Sequence, residues 1–169
     1  KKYNLAILRL NDFIKRYPAL PSTPYAYYLR GVIAEEMSRS ILDEIVTDSA
    51  QRDVQSVRDA YTYFILLIEN FPNSKYSEKA TKKLVTLKNI LARHEFYVAL
   101  YYTENGSHIA AINRSKYIIE HYPNTPSVAD GLHLMAYNYD AIDAEDLAQD
   151  ARTVLYASYP NYSPDHKID

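Results

Sequence analysis

Apolar residues recur along most of this chain at three- and four-residue intervals, the period of a helix with one buried face. Leu5, Leu8, Phe13 and Tyr17, with charges between them, predict a helix over 3–17. Pro18, Pro21 and Pro24 punctuate the turn after it, and Ser22 or Thr23 is available to cap a second helix over 24–45. An acid-containing insertion from Ser38 to Asp53 is expected to extend that helix and then loop, with Asp53 capping a third helix over 53–71. From Lys75 to Glu104 there is neither proline nor glycine, and Leu84, Leu87, Leu91, Val98 and Tyr102 keep the apolar stripe. One helix over 75–104 follows, about 45 Å long at 1.5 Å per residue. Asn105-Gly106-Ser107 should end it and cap the next, over 107–121. Helices over 127–142 and 144–158 complete the set, Pro160 to Pro164 ends the last, and the tail to Asp169 should fray. The expected class is all-α.

Superimposed on the helical period is a longer one. Ala6, Ala60, Ala111 and Ala148 each stand twelve residues ahead of a proline that follows an aromatic: Tyr17-Pro18, Phe71-Pro72, Tyr122-Pro123 and Tyr159-Pro160. Alanine is only 18 of 169 residues, so four such pairs are not chance. Ala99 and Ala136 stand twelve residues before Ala111 and Ala148, and each is followed three residues on by a tyrosine, Tyr102 and Tyr139. A small residue that lets two helices approach, an aromatic one turn on, and a proline that stops the second helix make up the tetratricopeptide repeat. The predicted fold is therefore a right-handed α-solenoid in a single domain, 1–169. Two units are irregular. Gly31 fits the first small position but lies much farther ahead of Ala60 than Ala99 does of Ala111, and the stretch from Lys75 to Leu91 is additional to the repeat. The chain also opens inside a repeat, at Lys1-Lys2-Tyr3, so a fragment is expected, with its targeting segment and first repeats elsewhere.

Composition narrows the function classes. A net charge of −2 gives no general pull toward nucleic acid or anionic lipid, and basic residues are not interleaved with aromatics on one stripe. With no cysteine there are no disulfides and no thiolate metal sites. No apolar run is long enough to span a bilayer. The eighteen tyrosines suit helix–helix gaps and partner grooves alike, since the ring packs while the hydroxyl stays wet. Charge is uneven: Lys75, Lys79, Lys82, Lys83, Lys88 and Arg93 face only Glu78, whereas 140–150 holds five acids and no base. Each reads first as a solvated helix face and second as an oriented contact with a partner. Catalytic chemistry is not indicated. There is no phosphate loop; His94, His108, His121, His133 and His166 lack metal-ligand spacing; Glu35 and Glu36 are adjacent on a helix and read as a surface face, not a catalytic pair. No enzyme, cofactor or metal is expected.

Two segments go beyond a generic repeat. Leu91-Ala-Arg-His-Glu95-Phe-Tyr-Val-Ala99-Leu-Tyr-Tyr102 ends the long helix, and Ala110-Ala-Ile-Asn-Arg114 follows the turn. With Phe71-Pro-Asn-Ser-Lys-Tyr before them, they resemble the BamD family of outer-membrane assembly lipoproteins, also called YfiO or ComL, over essentially the whole chain. The additional residues at 75–91 belong to that pattern. The resemblance implies a non-catalytic part of the machinery that folds β-barrels into the outer membrane of Gram-negative bacteria, on its periplasmic face. It implies docking on the POTRA domain of BamA nearest the barrel, contact with smaller lipoproteins of the complex, and an encounter with unfolded outer-membrane protein segments. The family's lipid-anchored cysteine has no counterpart here.

Within the match, the arginine that in the family contacts BamA is Arg114, next to Asn113. Tyr117 shares its helix face, to one side of the packing stripe Ala111, Ser115, Ile118 and Tyr122. Glu104, Asn105 and His108 on the adjoining turn are further candidates, although that turn is often basic in the family and Asn105 is not. From spacing alone, Arg114 could equally be a surface arginine packing its stem between repeats. The alternative function is another periplasmic tetratricopeptide scaffold, binding peptides or envelope-division proteins.

Overall fold

A computed structural model describes residues 2–42 and 54–164, with side chains left undescribed at 39–42; the cap expected at Asp53 and the end of the insertion lie outside them. Seven helices follow one another: α1 Lys2–Arg16, α2 Thr23–Leu42, α3 Gln55–Asn70, α4 Lys75–Glu104, α5 His108–His121, α6 Ser127–Asp140 and α7 Glu145–Ser158. No strand occurs among the described residues. Helix α4 is continuous over 30 residues. The chain divides into two units, Lys1–Leu91 and Ala92–Asp169.

The four aromatic-proline pairs end their helices in one way. Tyr17, Phe71, Tyr122 and Tyr159 each donate a backbone N–H to the carbonyl four residues back, on Phe13, Leu67, Ile118 and Leu155, at 2.9, 2.9, 2.9 and 2.7 Å. Phe71, Tyr122 and Tyr159 then leave the helix at φ −138°, −123° and −134°, outside the α region that a following proline disfavours. Three of these junctions carry a clasp that the sequence reading did not foresee. Thr23 Oγ1 donates to the Tyr17 carbonyl at 2.5 Å, Ser77 Oγ to that of Phe71 at 2.6 Å, and Thr125 Oγ1 to that of Tyr122 at 2.8 Å. Of the two cap candidates, Thr23 is the first residue of α2 and its hydroxyl closes the preceding helix, while Ser22 stands at the position before α2. All three hydroxyl residues are buried, and each bond satisfies a carbonyl that the helix end leaves without an intrahelical partner.

The other helix ends follow local chemistry. Gly106 sits at φ 69°; its N–H bonds to the Thr103 carbonyl and that of Ser107 to the Tyr102 carbonyl. This is the two-bond Schellman stop, for which glycine is suited because it adopts positive φ without strain. Ser107 precedes α5 but makes no side-chain cap bond. The turn after α6 repeats the geometry with Asp143 at φ 59° and the Ala144 N–H on the Tyr139 carbonyl.

The small residues mark helix crossings. Ala60, Ala99, Ala111 and Ala148 are fully buried, and Ala136 nearly so. In α1 no side chain is buried, and Ala6 is half-exposed. Leucine at Ala111 or Ala148 has no room, and each substitution is expected to lower stability by about 1–3 kcal/mol through overpacking. Urea midpoints equal to the parent's would place these alanines away from the crossings.

In the first unit, Phe64 is fully buried and its ring packs on Gly31; a Cβ on Gly31 would lie 2.5 Å from Phe64 Cε1. Alanine at Gly31 improves helix propensity by about 1 kcal/mol. The clash outweighs that gain, so Gly31→Ala should cost about 1–3 kcal/mol net. A parallel Gly31→Ala/Phe64→Leu variant should recover part of the loss in the same denaturant titration, because the shorter side chain relieves the overlap. Nearby, Arg30 is buried with its guanidinium 4.1 Å from the Tyr63 ring centroid and 5.1 Å from that of Tyr27, and Nη1 donates to Asn11 Oδ1 at 2.7 Å. Burial lowers its pKa, opposed by the two tyrosines.

The core of the second unit gathers Phe96, Ala99 and Leu100 of α4 with Ile118 of α5, Leu132 and Leu134 of α6, and Leu155 of α7. It fixes the C-terminal part of α4 against α5, which is where the candidate partner-binding residues stand.

Candidate functional site

On α5 the buried positions are Ala111, Ile112, Ser115 and Ile118. Turning away from them by helical geometry, Arg114 lies on the flank nearest α4 and Asn113 on the open side. Arg114 Nη1 donates to Glu95 Oε2 of α4 at 2.9 Å. The pair is asymmetric: 45% of the Arg114 side chain is accessible but only 2% of that of Glu95. A buried carboxylate thus holds a half-exposed guanidinium at the surface. Tyr117, half-buried one turn on, stacks on the His121 ring at 4.0 Å between centroids and meets the Tyr122 ring edge-on at 5.9 Å.

The turn between α4 and α5 is tied down from beneath. Asn138 of α6 has no exposed surface. Its amide Nδ2 donates to Thr103 Oγ1 at 2.8 Å and to the Leu134 carbonyl at 2.7 Å. Thr103 Oγ1 in turn donates to the Ala99 carbonyl at 3.0 Å. Both Asn138 amide hydrogens are committed, so its Oδ1, 2.8 Å from His108 Nδ1, can only accept. His108 Nδ1 is therefore the donor of that bond. One closed polar network links α4, α5 and α6 below the turn.

Above it, Glu104 and Asn105 are exposed, and Asn105 Nδ2 donates back to the Tyr101 carbonyl at 2.6 Å. Tyr101 and Ile109, on either side of the turn in sequence, expose 61% and 60% of their surface. Six residues were expected here: Glu104, Asn105, His108, Asn113, Arg114 and Tyr117. The structure places Glu104 at the end of α4, Asn105 in the turn, and His108, Asn113, Arg114 and Tyr117 on α5, with His108 held from below by Asn138 and Arg114 by Glu95. The sequence reading missed Glu95, Asn138, Tyr101 and Ile109 as parts of this region. Glu95 stood in the motif beside His94, but nothing in the spacing showed it to be buried.

A model of the outer membrane lipoprotein family YfiO matches residues 1–155. The chain belongs to this family. Among curated proteins, the outer membrane protein assembly factor BamD of Neisseria gonorrhoeae is 38% identical over 156 residues, 92% of this chain and 58% of the relative. The same factor from Xylella fastidiosa (strain Temecula1) is 31% identical over 162 residues, 95% and 55% respectively. That from Haemophilus influenzae is 31% identical over 157 residues, 92% and 60%. The chain thus spans between 55% and 60% of the length of these three relatives. Family membership agrees with the tetratricopeptide-type, all-α class read from the alanine and proline spacing.

The charged stretches that offered rival sites are largely engaged within the chain. Lys83 bonds Glu35 at 2.5 Å, Lys82 pairs with Glu78 one turn away at 3.2 Å, and Lys75 lies 5.2 Å from the Tyr76 ring centroid. Glu35, expected on a surface face, is instead buried against Lys83, while Glu36 is exposed. In the acidic stretch, Asp140 pairs with Arg152, and Glu145 and Asp146 occupy the first turn of α7, where the helix dipole favours them. Among the described residues no group of histidines and acids is arranged to hold a metal ion, and no helix is long and apolar enough to cross a membrane.

Proposed function

We propose that this chain is a non-catalytic scaffold region of the outer-membrane β-barrel assembly machinery, working at the periplasmic face. Its second unit docks on the POTRA domain of BamA nearest the barrel, through Arg114 with Asn113 and Tyr117 on α5 and Glu104, Asn105 and His108 on the turn. The observation that carries this reading is Arg114. It stands in the Ala-Ala-x-Asn-Arg segment of a chain in the YfiO family, and a buried carboxylate holds its guanidinium at the surface. A guanidinium has five N–H donors in a fixed fork, and one bond to Glu95 leaves the rest for a partner carboxylate. The exposed Tyr101 and Ile109 add apolar area of the kind that anchors interfaces. Contacts with smaller lipoproteins and with unfolded outer-membrane protein segments belong to the same proposal.

The test is titration of the chain and of Arg114→Gln against the isolated POTRA domain by calorimetry, at low and at physiological salt. Truncating one partner of a desolvated pair costs about 2–5 kcal/mol, against less than about 1 kcal/mol for a rim pair. Arg114→Gln should therefore weaken binding at least tenfold. Equal affinities at both salts would move the interface elsewhere or exclude this partner.

A further inference from the structure

Glu95 is an unusual neighbour for a docking arginine. A carboxylate with 2% of its side chain accessible costs free energy to bury and is stabilised by the cation beside it. Arg114 therefore cannot swing away toward a partner without withdrawing that stabilisation. Yet the two touch through one nitrogen, Nη1, and Arg114 keeps almost half of its side chain open. The remaining N–H edge of the guanidinium stays available in a fixed orientation.

We propose that Glu95 is the positioning residue of the docking site: it clamps Arg114 so that a partner carboxylate binds the free edge, giving a carboxylate–guanidinium–carboxylate bridge. This rests on the reading of Arg114 as the docking arginine and adds what sets the strength of its contact. Two effects of opposite sign follow. The clamp pre-orders a long, mobile side chain, which favours docking. The charge of Glu95 also offsets that of Arg114 and repels the incoming carboxylate, which opposes docking. The site is thus tuned below the affinity that its arginine could reach.

The two effects can be separated by chemistry at one position. Glu95→Gln keeps the length and the acceptor oxygen but removes the charge. Glu95→Asp keeps the charge but withdraws it by one methylene, so the clamp fails while the repulsion stays. In titrations against the POTRA domain, Glu95→Gln is expected to bind about 3–10-fold more tightly than the parent, the size of one screened charge–charge contact. Glu95→Asp is expected to bind more weakly by a similar factor. Both shifts should vanish in an Arg114→Gln background. A residue with only a structural role would move both variants the same way and would move them in either background.

Circular dichroism and thermal melts check folding, and Arg114→Lys gives a second route that leaves Glu95 untouched. Lysine retains the charge but offers no second edge. It should lose at least tenfold in affinity, and a lysine variant that binds like the parent would overturn the bridge. The proposal also fails if both Glu95 variants shift together or match the parent while Arg114→Gln still loses affinity; the docking reading then survives alone. If Arg114→Gln itself binds normally, both are wrong.

Discussion

Arg114→Glu should cost both stability and docking. Reversal places a second carboxylate beside Glu95, which is buried and paired with Arg114. Breaking a fully buried pair costs about 3–5 kcal/mol. Arg114 is 45% accessible and water screens its side of the pair, so about 1–3 kcal/mol is the expected loss of stability. Although Arg114 lies to one side of the packing stripe, the ion pair with Glu95 ties it into the fold. Guanidinium unfolding, followed by circular dichroism, measures the first effect; titration below the unfolding transition measures the second. An unchanged unfolding midpoint would show that Glu95 finds its stabilisation elsewhere. For this reason the neutral Arg114→Gln, and not the reversal, is the cleaner probe of the interface.

Asn138→Asp should be still more damaging. The amide nitrogen of Asn138 faces two acceptors, Thr103 Oγ1 and the Leu134 carbonyl, in a site with no solvent access. A carboxylate there donates to neither and brings a buried charge. The bond from His108 Nδ1 survives, because a carboxylate oxygen accepts as the amide oxygen did. The loss comes from the other side, at about 2–4 kcal/mol for two acceptors left without a donor plus desolvation of the new charge. Burial against two acceptors must raise the pKa of the new carboxyl above its unfolded value. The neutral acid is then the form that the folded state prefers, so the gap between parent and variant should narrow as the pH falls through that raised pKa. Urea midpoints across neutral and acidic pH test this; a gap that widens toward acid would mean that the carboxylate is solvated or ion-paired.

The sequence yields what is local and periodic. Aromatic-proline pairs name the ends of α1, α3, α5 and α7, because the residue before proline is forced from the helix whatever surrounds it. Of the alanines twelve residues earlier, Ala60, Ala111 and Ala148 are fully buried while Ala6 of α1 is half-exposed, and Gly106 names a positive-φ stop. The site is legible only in part. Arg114 was found through the resemblance and its place on α5 through helical period, but Glu95 is 19 residues away on another helix. Asn138 and His108 are separated by 30 residues and Asn138 and Thr103 by 35, so their bonds depend on how three helices stack. A polar residue inside an apolar run reads as surface until its partners are placed. Glu35 failed for the same reason: Lys83, its partner, is 48 residues downstream.

The hydroxyl clasps have a bearing on how such chains can be cut and rejoined. Donor and acceptor of each clasp come from opposite sides of the aromatic-proline step, the carbonyl from the residue that closes the outgoing helix and the hydroxyl from the turn or the first residues of the next helix. Their separation varies, six residues for Tyr17–Thr23 and Phe71–Ser77 but three for Tyr122–Thr125, while the acceptor is always the residue before proline. What is specified is an endpoint and not a loop length. A chimera spliced between Phe71 and Ser77 would take one half of the clasp from each parent and would close only where both parents place a hydroxyl at the same step. One spliced within the body of a helix would carry the junction whole. Recombination between relatives should therefore be tolerated in mid-helix and penalised in the turns, the reverse of the usual preference for crossovers in loops.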